Sequence, residues 1–246
     1  SLGDHFGVGH IFLAGEAPGL FYGYVTQGIV QKEDITENGI KYIKQDGSVG
    51  YYQTVNKTTP VAGDVKYVDR NGDGVVDDND RDIIGNPNPD FTYGFQTKVS
   101  WKSLSLSASF NGVQGRDILN VGNRYNNTPG TKSNNVTRKA FQNMWTDENP
   151  SNLYPKSTFV VQNMVMDRYV EDGSYLRCSD ITLSYVLPAK WTNKIGIKNT
   201  SVYASVKNAF VITDYSGYDP EVNSFAFDGL RPGVDMNSYP TPRSFV

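Results

Sequence analysis

The densest chemistry in the chain lies between residues 69 and 80. Asp69, Asn71, Asp73, Asp77 and Asp80 place side-chain oxygens at positions 1, 3, 5, 9 and 12 of a twelve-residue run. Gly74 stands at position 6, where the chain must turn sharply, and Val75 at position 7 offers a backbone carbonyl. This is the ligand order of an EF-hand loop, with Asp in place of Glu at the last position. Calcium is a hard cation that surrounds itself with oxygens, so a carboxylate-dense turn suits it. The expectation is a structural Ca2+ held by Asp69, Asn71, Asp73, the Val75 carbonyl, Asp77 and Asp80. The same composition also makes an ordinary Asp/Asn/Gly-rich surface turn.

The flanks are not helical. Val65, Tyr67 and Val68 are β-formers, and Ile83-Ile84-Gly85-Asn86-Pro87-Asn88-Pro89 is extended and turn-rich. The loop is therefore expected between β elements, not in a helix–loop–helix. His5 and His10 are isolated from any Cys or Glu cluster and read as loop residues. No Gly-x-Ser-x-Gly, Cys/His or zinc constellation occurs. A hydrolase would need an acid/base pair flanking a cleft, and the carboxylates concentrate where metal binding accounts for them. The chain reads as a non-enzyme.

Composition narrows the class further. Apolar residues make up 38% and aromatics 13%, a chain poor in aliphatics and rich in Tyr and Phe. The net charge of −3 gives no basic stripe, so no nucleic-acid partner is expected. The single Cys178 rules out an internal disulfide. The opening Ser1-Leu2-Gly3-Asp4-His5 is polar, unlike a secretory leader. No apolar run approaches the roughly 20 residues of a membrane helix, but barrel strands alternate and escape such a test.

The elements that must position the loop are strands. Residues 1–57 read as Gly- and Tyr-rich, with short irregular strands and little core, and 58–90 hold the calcium loop and a turn. Over 91–113, Phe91, Tyr93, Phe95, Thr97, Val99 and Trp101 share one face, and Leu104, Leu106, Ala108 and Phe110 continue it after a turn at Lys102-Ser103. This is a β-hairpin with period-two alternation, each arm long enough to cross a bilayer when tilted. Gln96 and Lys98 on its other face suit a wet lumen; a hairpin of a soluble sandwich would alternate similarly. Residues 114–173 form a long connection with a helix near Asn135–Trp145, anchored by Trp145. Across 174–212 two strands are expected around a short turn that carries Trp191, Lys190, Lys194 and Lys198. In the first, Ile181, Leu183, Tyr185 and Leu187 share a face while Leu176 and Cys178 fall in the opposite phase. A bulge or a membrane boundary near Ser179-Asp180 would reconcile them. A second long connection covers 213–239, and a new strand begins within 240–246. Connections of alternating short and long length are characteristic of outer-membrane barrels.

Several stretches resemble the SusC/RagA family of TonB-dependent outer-membrane transporters. They are Gly63-Asp64-Val65-Lys66-Tyr67 leading into the calcium loop, Ile83-Ile84-Gly85-Asn86-Pro87-Asn88-Pro89-Asp90-Phe91-Thr92-Tyr93-Gly94-Phe95, and Phe110-Asn111-Gly112-Val113-Gln114-Gly115-Arg116-Asp117-Ile118. Further on come Tyr169-Val170-Glu171-Asp172-Gly173-Ser174-Tyr175-Leu176-Arg177, Tyr215-Ser216-Gly217-Tyr218-Asp219-Pro220-Glu221-Val222 and Ser238-Tyr239-Pro240-Thr241-Pro242-Arg243. The resemblance implies an all-β fold: the C-terminal strands of a large transmembrane barrel of the 22-stranded type, with long extracellular loops and one loop helix. It implies a C-terminal fragment of about four strands and the start of a fifth, unable to close a barrel alone. The function it implies is import of oligosaccharides or peptides across the Gram-negative outer membrane. The partners would be a SusD-like surface lipoprotein, membrane lipid, the remaining strands and plug, and TonB through the missing N-terminal part. A soluble secreted calcium-binding β module, of carbohydrate-binding or adhesion type, is the alternative.

Overall fold

Four long strands carry the period-two pattern: Phe91–Trp101, Leu104–Gln114, Tyr175–Val186 and Ser201–Thr213. In this computed structural model, which describes residues 9–128, 135–157, 164–193, 196–197 and 200–246, they pair in sequence order with a short fifth strand, Ser244–Phe245. Every pairing in this sheet is antiparallel. His5, Lys194 and Lys198 lie outside the described residues. No described helix is long and apolar enough to cross a membrane.

The chain divides into two compact units. The wall unit comprises residues 89–116, 172–222 and 238–246. Its register keeps each face uniform from strand to strand: Val99 pairs with Leu106, Leu106 with Leu183, and Leu183 with Ala204. The other face aligns Lys98, Ser107, Thr182 and Ser205 in the same way. The hairpin turns at Lys102, whose φ of 53° is left-handed.

A register shift occurs where the phase of the sequence changes. Ser109 pairs with Asp180 while Phe110 pairs with Cys178, leaving Ser179 as the extra residue. On the next strand Asp180 pairs with Lys207 and Cys178 with Phe210. There Asn208 takes φ 53°, a left-handed conformation that asparagine tolerates better than most residues. The bulge brings Leu176 and Cys178 onto the face of Ile181, Leu183 and Tyr185. This is the resolution the broken alternation required.

The loop unit comprises residues 1–88, 117–171 and 223–237. It is built from short sheets. Leu20–Tyr24 lies between His10–Ile11 and Arg81–Gly85, while Ile35–Thr36, Gly39–Ile43 and Val49–Tyr52 form a meander. Thr26–Ile29 pairs with Val65–Tyr67. Asp117–Asn120 lies between Val170–Asp172 and Val234–Asp235. The expectation of little core before residue 58 is wrong. Phe21, Tyr24, Ile29, Val30, Ile40, Tyr42 and Tyr52 are all buried in one cluster with Tyr67 and Trp145. The physical reason is that tyrosine supplies a large apolar ring, and its hydroxyl can be buried once it has a partner. Tyr42 donates to the Asp69 carbonyl at 2.6 Å, and the Tyr52 hydroxyl accepts the Tyr67 amide at 3.1 Å.

Two α-helices occur among the described residues of this unit. Val121–Asn127 was not foreseen; Asn120 caps it by accepting the Asn123 amide at 2.8 Å. The expected helix is shorter than the 135–145 span, covering Arg138–Asn143 after its Thr137 cap. Ala140 is buried, but its neighbour Phe141 is exposed. Trp145 follows the helix and is buried; its indole donates to Gln31 Oε1 at 3.0 Å. Gly63 makes room for it: at φ 87°, a Cβ there would lie 2.6 Å from the indole ring.

Candidate functional site

Two clusters of charged side chains stand out, one in each unit. In the loop unit, the 69–80 run lies between Val65–Tyr67 and Arg81–Gly85, as β flanks dictate. Within it Val75–Val76 pairs in parallel with Thr54–Val55. Gly72 and Gly74 both take left-handed φ values, 76° and 87°. At Gly74 a side chain is also barred sterically, since a Cβ would lie 2.3 Å from Gln53 Oε1.

The carboxylates bind the loop's own amides. Asp69 accepts from Gly72 N at 2.7 Å and Gly74 N at 2.8 Å, one with each oxygen. Asp80 accepts from Arg70, Asn71 and Asp77 amides. Asp73 accepts from the Val75 amide and the Asn71 side chain, and Asp77 from the Asn79 amide. Both Asp69 and Asp80 are buried. Burial pushes the Asp69 carboxyl up; the Gly74 and Gly72 amides pull it back, and the charges of Asp80 and Asp73 raise it further.

The residues fit calcium in donor chemistry and in their order along the chain. Their side chains, however, do not converge. Among the described residues no three acidic, histidine or cysteine groups form a metal-holding set. To coordinate an ion, Asn71, Asp73 and Asp77 must turn from their present partners. His10 is buried, with its ring at 3.1 Å from the Pro232 carbonyl and edge-on to Phe21.

The second cluster lies on the polar face of the wall unit. Arg177, buried in the strand just before the bulge, meets Asp219 Oδ1 through Nη2. Its Nε lies 3.1 Å from Glu221 Oε2, an ion-pair distance without hydrogen-bond alignment. Tyr175 donates to Glu221 Oε1 at 2.6 Å, and Asn111 to the same oxygen at 3.3 Å. Arg116 donates to the carbonyls of Pro220 and Val222. Asp219 also accepts the Glu221 and Thr241 amides. Burial works to raise the Asp219 carboxyl, but those two amides and the Arg177 guanidinium outweigh it and leave it below the ordinary range. The result is a clamp between the strands and the 214–222 connection.

Sequence reading assigned no role to this clamp. By strict alternation Tyr175 and Arg177 share the face of Ile181, and only the bulge places them on the polar face. Their partners are 46 and 42 residues distant in the chain. The available signal was an arginine in a strand otherwise destined for burial, which demands a carboxylate partner.

No protein-family model matches the chain. The chain is 34% identical over 194 residues to TonB-dependent receptor P26 of Formosa agariphila, a match covering 76% of this chain and 19% of that protein. It is 32% identical over 241 residues to TonB-dependent receptor P3 of the same organism, covering 96% and 22%. With TonB-dependent receptor SusC of Bacteroides thetaiotaomicron it shares 34% identity over 187 residues, covering 73% and 17%. The chain therefore spans about a fifth of the length of these curated relatives. Its fold superposes on the solved RagAB peptide transporter with a TM-score of 0.62 at 24% identity, over 93% of this chain and 22% of that one. An "open-open" state of the RagAB peptide importer gives a TM-score of 0.60, covering 98% and 24%.

Proposed function

Because this chain belongs to the SusC/RagA family of TonB-dependent receptors, as a segment of one, we propose that it forms part of the wall and outer-face loops of an outer-membrane importer. The imported class is oligosaccharides or peptides, and a SusD-like lipoprotein caps the extracellular side. The relatives are named as receptors and transporters, not as enzymes.

The observation that carries this reading is the two-faced sheet. Phe95, Val99, Trp101, Leu106, Leu183 and Val202 all lie exposed on one face. A continuous apolar sheet face of this kind is an aggregation hazard in water and the natural surface of a barrel in lipid. That weighs against a soluble calcium-binding module. The opposite face, with Lys98, Ser107, Asp180, Lys207 and the Arg177 clamp, suits a hydrated interior. Short connections at Lys102-Ser103 and 187–200 alternate with long ones, so the long ones belong outside the cell.

Site-directed labelling of the whole receptor in its membrane tests this. Val99→Cys should resist a membrane-impermeant maleimide, and Ser107→Cys should react, against the background of the buried Cys178. Reversed accessibility would overturn the assignment of faces. Growth on candidate oligosaccharides or peptides as sole carbon source, with and without the receptor, tests import itself.

For the 69–80 loop we infer a structural calcium ion. The twelve-residue order and the two left-handed glycines support it. So do two buried, neighbouring carboxylates, Asp69 and Asp80, whose repulsion a dication would relieve.

A further inference from the structure

The loop unit holds a pocket of about 190 Å³ whose lining includes Asn123, Asn127, Lys139, Tyr154, Arg168 and Tyr169. Its lining contains two cations and no acidic residue. Arg168 is fixed from one side: its Nη2 donates to the Leu153 carbonyl, and its guanidinium lies 5.8 Å from the Tyr169 ring centre. Its Nη1 is buried and has no hydrogen-bond partner among the described residues. Lys139 projects from the Arg138–Asn143 helix and makes no ion pair among the described residues. The asparagines are already committed. Asn123 donates to Glu171 and accepts from Asn127, which in turn accepts from Thr137. Arg168 and Lys139 are thus the charged donors of the lining without a counter-ion among the described residues.

A buried guanidinium nitrogen without an acceptor carries a desolvation cost that an anionic oxygen would remove. Arginine presents its donors in a planar fork that matches a carboxylate. Pockets that enclose whole small molecules run to about 300–1,000 Å³, so this one takes a single terminal group. We propose that it binds a carboxylate of the imported chain, with Arg168 as the hydrogen-bonding clamp and Lys139 as the second charge. The identity of the carrier rests on the import reading above; the binding itself does not. Two carriers share the chemistry: a peptide C-terminus and a uronic-acid sugar.

The test uses the whole receptor in detergent and measures binding by isothermal titration. The probes are trialanine against its C-terminal amide, and trigalacturonate against neutral maltotriose. At least one carboxylate probe should bind about tenfold or more tighter than its neutral counterpart. Arg168→Gln and Lys139→Gln should each remove most of that preference, and Lys190→Gln should leave it intact. Trialanine alone showing the preference identifies the peptide carrier, and trigalacturonate alone the sugar. Lys139 is exposed, so its variant remains informative if Arg168→Gln misfolds. Equal affinity for charged and neutral probes, or a preference unchanged by Lys139→Gln, would overturn the pocket. A receptor that imports nutrients but shows no carboxylate preference sinks this inference alone; one that keeps the preference but imports nothing sinks the import reading alone.

Discussion

Replacing Asp219 by Ala removes three hydrogen bonds at once: those from the Arg177 guanidinium and from the Glu221 and Thr241 amides. It leaves Arg177 buried with Glu221 as its remaining counter-ion. Removing one partner of a buried pair costs about 3–5 kcal/mol when the survivor is stranded. Glu221 is 37% exposed and lies at 3.1 Å from Nε, so Arg177 is not wholly stranded. The low end, about 3 kcal/mol, is expected. Spent on local opening of the 214–222 connection, that corresponds to about a hundredfold faster amide exchange. Hydrogen–deuterium exchange of the whole receptor, read by mass spectrometry on peptides covering 214–222 and 172–180, measures it. The strand peptides past the bulge should change little. A paired Arg177→Met, Asp219→Leu variant should restore much of the protection, because no buried charge is left without a partner and Glu221, 37% exposed, keeps solvent and its bond from Tyr175. Exchange within about threefold of wild type in Asp219→Ala would refute the clamp. The pH dependence has a fixed sign. Asp219 is held below its ordinary value of 3.8, so its contribution is complete above that value and is lost as pH falls through the lower folded one. Exchange corrected for its intrinsic rate should therefore rise only in that acid range.

On the sheet faces, Val99→Arg should destabilise the receptor by about 2–4 kcal/mol if that position lies near the bilayer midplane, while Ser107→Arg should be mild; denaturant unfolding in lipid compares the two, and equal losses contradict a lipid-facing side. Trp145→Ala should cost about 3–5 kcal/mol of loop-unit stability, read as proteolysis within 114–171; resistance equal to wild type would remove its anchor role. Calcium titration should show saturable binding that Asp69→Asn and Asp80→Asn abolish. Since the Asp69 carboxyl is held above its usual range and must ionise to bind the ion, affinity should weaken toward acid pH; no binding at neutral pH removes the site.

The strands were legible because alternation over two consecutive arms leaves a single register that keeps each face uniform. Even the bulge was legible, as a phase error between Cys178 and Ile181. What escaped was long-range. The tyrosine-rich opening of the chain looked like loop because the hydroxyls of Tyr42 and Tyr52 find partners only in Asp69 and Tyr67, far along the sequence. Helix ends misled for a local reason. Met144 and Trp145 continue the apolar spacing, but Met144 is already extended, at φ −69° and ψ 150°, and Trp145 hydrogen-bonds to Tyr154 instead. The clamp was hidden because a strand arginine names no partner. Asp219 and Glu221 sit in a connection whose path periodicity does not describe. At the 69–80 loop the spacing of oxygens was plain, but which amides they bind was not.

The extra residues at Ser179 and around Asn208 also limit how this protein can change by insertion and deletion. Three neighbouring strands agree in phase above the shift only because each carries its own count of residues through it. Deleting Ser179 alone would keep the faces, since Cys178 would still pair with Phe110, but it would leave Asn208 and Ala209 opposite no residue of this strand. The neighbouring strand, still carrying its own two extra residues, could not follow. A viable length change in this stretch must therefore arise as matched events in adjacent strands. Single-residue length polymorphism among descendants should accumulate in the connections at 121–171 and 223–237, while residues 104–114, 175–186 and 201–213 keep a fixed length however far their side chains diverge.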